Sequence, residues 1–352
     1  MTTVVRGRLS EAGDGPSAHA GVRTRIGWGV FTLVLLAAAA VILASMETDL
    51  GGDPRVTNPN PGPGSLPPFL GLDDVPSMAN VAPAVGSAVL LGTFLFLSVR
   101  RRRLHPGVIL VLAITFMGVL DPIANWATFT VFDPRIGHFP LDWPWMRFAP
   151  LLEPSFSFLG GYATYYFTVS LGLYWLYHHV VMPRMRAGSW IDRHRLLSLS
   201  LFCFVVSIPI DIVMLFGWLR FGIVSFLEGV GPVLTWGGVQ LSLGMVLYDS
   251  WPFLFIPMLC QRDEDGRSVV LARLARRLPH WSSSPRDSSA RQLVAGTALM
   301  IAVGLVPFSV FSVLRVTHQF RPTYDEFPFP AAKVYDPYGD LREAGKAGPF
   351  YP

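Results

Sequence analysis

Charge is scarce in this 352-residue chain: 15% of its residues are Asp, Glu, Lys or Arg, against 51% that are hydrophobic. A soluble domain of this size needs more charge to keep its surface solvated, so lipid is the expected solvent. Cysteine is scarcer still. Cys203 and Cys260 both sit inside apolar stretches without Cys-x-x-Cys spacing, which excludes a disulfide framework and a thiolate metal site and leaves two packed thiols. Lysine occurs only at Lys333 and Lys346, close to the C-terminal end. A retinal protein needs a Schiff-base lysine in its last helix, so an opsin is excluded. A Walker-type Gly-rich loop is missing, as are the His-rich clusters of a membrane di-iron oxygenase. His178 and His179 are adjacent, and neighbouring positions diverge on a helix, so they read as interfacial side chains and no metal or cofactor is expected. Nucleic acid is not expected as a partner either, because the arginines stand beside hydrophobic runs and not in a basic stripe interleaved with aromatics.

Long hydrophobic runs are what the chain has in quantity. A hydrocarbon core of about 30 Å takes roughly 20 apolar residues in helical form, because every backbone polar group must be paired within the segment. Seven runs meet that length: Ile26 to Met46, Ala79 to Val99, Gly107 to Phe129, Leu151 to Tyr177, Leu196 to Trp218, Val233 to Met258 and Leu293 to Leu314. The first is too long for a signal-peptide core and reads as a signal anchor. Of the 28 basic residues, 19 fall before the first run or after the second, fourth and sixth. The positive-inside rule then puts the N-terminus in the cytoplasm and the C-terminus outside, in a multi-pass protein of the inner membrane. The expected fold class is all-α: a polytopic transmembrane helical bundle of about seven spans over residues 26–314. A disordered tail, 1–25, precedes it, and a tail packed on the outer face, 315–352, follows. The loop 262–291 carries Arg273, Arg276 and Arg277 beside Val269, Val270, Leu271 and Leu274. This spacing predicts a short amphipathic helix on the inner leaflet, and the basic loop is a candidate docking surface for partner proteins.

Ionisable groups inside spans are costly and usually face the bundle interior, so they are the first pointers to function. Asp121 and Asn125 stand four apart, on one helical face, with Pro122 between them. Glu153 opens the fourth span and is followed by Tyr162, Tyr165 and Tyr166; Asp211 lies in the outer half of the fifth, and Asp249 in the sixth, nearer the cytoplasmic side. A carboxyl group in an apolar site can stay protonated near neutral pH and donate a proton to a substrate oxygen. The alternative is that each carboxylate caps a broken helix or bonds across helices. Asp121, Glu153 and Asp211 are the candidate catalytic residues. Asn125, Trp126, Tyr162, Tyr166 and Asp249 are candidate substrate contacts, although Trp126 with Trp143 and Trp145 could equally form an aromatic belt.

The segment after His318 interleaves Phe320, Tyr324, Phe327, Phe329, Tyr335, Tyr338, Phe350 and Tyr351 with prolines and glycines, a density of rings that packs against something. With its Lys333-Val334-Tyr335-Asp336-Pro337-Tyr338-Gly339 run, its Ala344-Gly345-x-x-Gly348-Pro349 ending and the Asp121-Pro122-x-x-Asn125-Trp126 segment, the chain resembles the AveC-type spirocyclase/dehydratase membrane proteins from about residue 26 onward. The resemblance implies a cofactor-independent enzyme that cyclises a lipophilic, polyketide-like hydroxyketone to a spiroketal, in some members with dehydration. Two other classes fit the same residues: a transporter or lipid-binding protein whose carboxylates hold a cation, and a non-catalytic scaffold for biosynthetic enzymes.

Overall fold

The computed structural model describes residues 37, 40–64, 66, 69–72, 75–102, 104–264, 266–278 and 288–352. The chain up to Ser45 is a unit of its own, in which residues 40–45 are helical. The expected tail at 1–25 and most of the first expected span lie outside the described residues.

From Met46 onward the chain is mostly helical, and among the described residues four helical stretches are long and apolar enough to cross a membrane: Met78–Arg100, Pro106–Thr128, Arg195–Arg220 and Ser289–Val316. They correspond to the second, third, fifth and seventh runs of the sequence. The first belongs to α1, Val75–Arg100. The second is compound, with α2, Pro106–Thr115, passing through a 3₁₀ turn at Phe116–Leu120 into α3, Asp121–Thr128. Pro122 causes the break. It has no N–H to offer the Gly118 carbonyl, which accepts from the Asp121 N–H in a tighter turn.

The fourth run departs from a regular helix. Wide π-turns at Ser157–Gly161 and Ala163–Phe167 lead into α4, Thr168–Leu176, and a further π-turn at Tyr177–Val181. Gly160 has φ 96°, a conformation that side chains disfavour, and a Cβ there would lie 2.1 Å from the Ser87 Oγ. Its missing side chain lets Ser87 of α1 donate to the Gly160 carbonyl at 2.7 Å. Gly118 does the same on the other flank, where a Cβ would meet the Ser157 carbonyl at 2.8 Å. A short helix α5, Trp190–Arg193, then precedes α6, Arg195–Arg220.

The sixth run contains the main correction to the all-α expectation. Its first ten residues are not helical: β4, Val233–Trp236, pairs antiparallel with β5, Val239–Ser242, across Gly237 and Gly238, both at positive φ. Two left-handed positions in a two-residue loop are what a tight hairpin requires, and glycine takes them without strain. The helix starts only at α7, Leu243–Ser250, capped by the Ser242 hydroxyl on the Met245 N–H at 3.3 Å, a bond worth about 1 kcal/mol. A 3₁₀ turn and α8, Ile256–Leu259, complete an apolar stretch of 17 residues.

Other short strands gather at the same end. β1, Thr130–Phe132, pairs with β2, Val224–Phe226, while β3, Glu228–Gly229, pairs with β6, Arg321–Pro322; β7, Val334–Tyr335, runs parallel to β8, Phe350–Tyr351. The aromatic tail therefore folds onto the body of the protein. Phe320, Tyr324 and Phe329 join the buried cluster around Phe129, Phe132 and Phe226, and Thr57 bridges Ala332.

Two further helices pack together, and a short one, Asp340–Glu343, lies in the tail. α9, Val269–Arg277, and α10, Ser289–Val316, pack on each other, with Leu271, Ala272 and Ala275 of α9 buried. Leu271 sits over Gly296, where a Cβ would be 3.2 Å away, and the buried Arg291 donates to the Ala275 carbonyl at 3.1 Å. The amphipathic helix expected at Arg273–Arg277 is present, but its apolar side is covered by protein.

Arg315, near the end of α10, is buried and has no ion-pair partner among the described residues. Its guanidinium lies 4.0 Å from the Phe129 ring centroid and 4.4 Å from that of Trp126, donates to the Trp126 carbonyl, and donates to the Tyr335 hydroxyl at 2.8 Å. Aromatic faces and strong acceptors replace the water that this charge has lost. Glu228 is buried nearby, and its Oε1 has no hydrogen-bond partner among the described residues. Burial, followed by the charge of Asp340, pushes its carboxyl up to about 7, against the pull of Arg315.

Candidate functional site

Three tyrosines on one face of the π-turn region build the site. Tyr162, Tyr165 and Tyr166 stand at i, i+3 and i+4, which puts them on one side of the helix. Each donates to the carboxylate of a different helix: Tyr162 to Asp121 of α3, Tyr165 to Asp211 of α6, and Tyr166 to Asp249 of α7, the last at 2.7 Å. The rings of Tyr162 and Tyr166 stack with centroids 5.5 Å apart and planes 17° from parallel. Two Tyr–Asp pairs therefore lie side by side. Each such hydrogen bond contributes roughly 0.5–3 kcal/mol, so one helix face ties three others together.

The three tyrosines, Asp121 and Asp249 border a cavity of about 450 Å³, within the usual range for small-molecule sites. Its polar wall carries Asp121, Asn125, Tyr162, Tyr165, Tyr166 and Asp249, and its apolar wall carries Phe132, Phe156, Leu215, Trp218, Phe226 and Met245. The hairpin explains why Asp249 is here and not nearer the far end of the bundle, as the hydropathy pattern suggested. Because residues 233–242 are spent on strands, Asp249 falls within two turns of the start of α7 and reaches the level of Asp121.

The other expected residues divide clearly. Glu153 is fully buried and does not line the cavity; its Oε2 accepts from the Asn125 side chain at 2.8 Å, and its carboxyl also interacts with Asp121, so it acts on the cavity through both. Asp211 is also withdrawn from the wall, accepting from Tyr165 and from the Ser250 hydroxyl. Trp126 points away from Asn125 on α3. It borders a separate cavity, because adjacent helical residues diverge, and Asp121, Ala124, Asn125 and Thr128 share the inward face. Tyr165 and Tyr248 are wall residues that sequence reasoning did not single out. The signal for Tyr165 was its place between Tyr162 and Tyr166, whereas Tyr248 looked like one more apolar-span aromatic. Among the described residues no group of three or more His, Cys, Asp or Glu is arranged to hold a metal ion.

A cavity with an apolar wall and a polar one bearing two carboxyls can hold a lipophilic substrate and exchange protons with its oxygens. No curated protein and no solved structure matches this chain. The family described as Spirocyclase AveC-like matches residues 99–335, a stretch that contains Asp121, Asn125, the three tyrosines, Asp211 and Asp249. The chain belongs to the spirocyclase AveC-like family.

Proposed function

We propose that the protein is a multi-pass enzyme of the inner membrane that forms a spiroketal from a lipophilic, polyketide-like hydroxyketone, without a cofactor. Family membership supports a cyclase or dehydratase role, and one observation carries the chemistry: Asp121 and Asp249, each held by one of two stacked tyrosines, face the same largely apolar cavity. In the proposed reaction one substrate hydroxyl adds to the ketone carbon, giving a hemiketal. The Asp121 carboxyl then protonates the hemiketal hydroxyl, which leaves as water, and the carbon becomes an oxocarbenium ion. The second hydroxyl attacks that carbon and gives its proton to a carboxylate, for which Asp249 is the candidate. One water is lost overall, and the acid is restored when the two carboxyls exchange a proton through the Tyr162 and Tyr166 hydroxyls. The ring faces of the tyrosines favour the cationic intermediate by roughly 0.5–2 kcal/mol, and the apolar wall holds the chain folded so that the second hydroxyl is close. Glu153 and Asp211 position Asn125 and Tyr165 in this scheme, a change from the catalytic roles that their place in the sequence suggested.

The same proposal keeps seven spans with a cytoplasmic N-terminus. Leu243–Leu259, at 17 residues, extends about 25 Å as a helix, enough for the thinnest spans. The 262–291 segment remains the proposed docking surface for biosynthetic partners. The decisive test compares metabolites of a deletion strain carrying either the wild-type gene or Asp121→Asn. Accumulation of an uncyclised ketone in both the deletion and the variant is expected. An unchanged metabolite profile, or full rescue by the variant, refutes the assignment.

A further inference from the structure

A second cavity, of about 550 Å³, lies behind α3. Trp126 borders it while the neighbouring Asn125 borders the carboxylate cavity, so α3 is the partition between the two. Its chemistry is the reverse of the first. Arg55, Arg147 and Lys333 line it, and no aspartate or glutamate does; the remaining wall is largely apolar, with Leu141, Met146 and Phe148. Behind Trp126 and Tyr335, both wall residues, lies the buried guanidinium of Arg315.

The charge is compensated only in part. Arg55 is paired with Asp53, whose charge also acts on Lys333, and Lys333 donates to the Pro54 carbonyl. The Arg147 side chain is exposed and has no hydrogen-bond or ion-pair partner among the described residues. Cations of one sign around a low-dielectric wall focus a positive potential into the space between them. An anion entering that space gains charge-assisted hydrogen bonds that the protein itself does not satisfy, and the apolar wall accepts a hydrocarbon body.

We infer that this cavity is a binding site for the anionic head of an amphipathic molecule, a carboxylate or phosphate on an apolar chain, separate from the carboxylate cavity. The inference does not depend on the cyclisation reading. Two sources share this chemistry, free long-chain acids and phospholipid headgroups, and the test separates them.

Full-length protein in a neutral detergent would be titrated by calorimetry with dodecanoate, with dihexanoyl phosphatidylglycerol and with dodecanol. Saturable binding of at least one anion and none of dodecanol is expected; dodecanoate alone assigns a free acid, and the phospholipid alone a headgroup. Arg147→Gln is the sensitive variant, because its guanidinium supports no other contact, and it should weaken binding about tenfold, the effect of one charged hydrogen bond. Lys333→Gln should act in the same direction. Asp121→Asn should leave the affinity unchanged, which separates this site from the first cavity. Equal binding of dodecanol, no binding of either anion, or an affinity indifferent to Arg147→Gln would overturn the proposal.

Discussion

Glu228 offers a quantitative test of the folded cap at the hairpin end of the bundle. Its carboxyl is buried, its Oε1 lacks a partner among the described residues, and burial with the nearby Asp340 charge raises it to about 7 from an ordinary 4.5. The folded state therefore holds this proton more tightly than the unfolded chain does. Stability from this group is complete below about pH 4.5, falls as pH rises toward 7, and is flat above that. At about 1.4 kcal/mol per pH unit, the loss across the window is about 3 kcal/mol. Glu228→Gln replaces the carboxyl by a neutral group of the same shape and should abolish this slope. Thermal unfolding of the two purified proteins, followed by tryptophan fluorescence from pH 5 to pH 8, reads the difference. The variant is expected to match wild type at pH 5 and to exceed it by several degrees at pH 8. Other titrating groups cancel in the comparison. Parallel curves for the two proteins would refute the reasoning, because they would mean that Glu228 is solvated or ion-paired.

Three further outcomes follow from the site. Asp121→Asn and Asp249→Asn should each lower turnover about 100-fold or more in membranes with the protein still folded, as expected for loss of a positioned acid or base; activity within threefold of wild type would remove that residue from the proposed chemistry. Asp211→Asn should cost much less, since Asp211 does not line the cavity and acts on it through Tyr165 and through its charge beside Asp249, and a loss equal to that of Asp121→Asn would contradict a positioning role. Gly160→Ala should destabilise the protein by about 2 kcal/mol, because φ 96° and the Ser87 Oγ 2.1 Å from the new Cβ both oppose it; an unchanged unfolding temperature would show that the π-turn is not held as described.

Much of the helical framework was legible because hydropathy is local. The runs at Leu196 to Trp218 and Leu293 to Leu314 reappear in Arg195–Arg220 and Ser289–Val316, since twenty apolar residues in a row have few ways to satisfy their backbone other than a helix. Asp121 and Asn125 on one face followed from helical spacing and a proline, again local facts. The sixth run was different. Val233–Trp236 and Val239–Ser242 open a long hydrophobic run, and Gly237-Gly238 was the hint of a turn. Whether such a segment becomes strand or helix depends on the partner it finds.

What the sequence by itself determined, then, was a helical protein with carboxyls in apolar stretches, since both follow from residue type and spacing along one element. Only the tertiary structure decided which carboxyls meet. The hairpin advanced Asp249 to the level of Asp121, the π-turns aimed three tyrosines at three helices, and α3 turned Asn125 toward one cavity and Trp126 toward another. Each of these depends on the start of one helix and the rotation of another, relations between distant segments that no local pattern encodes.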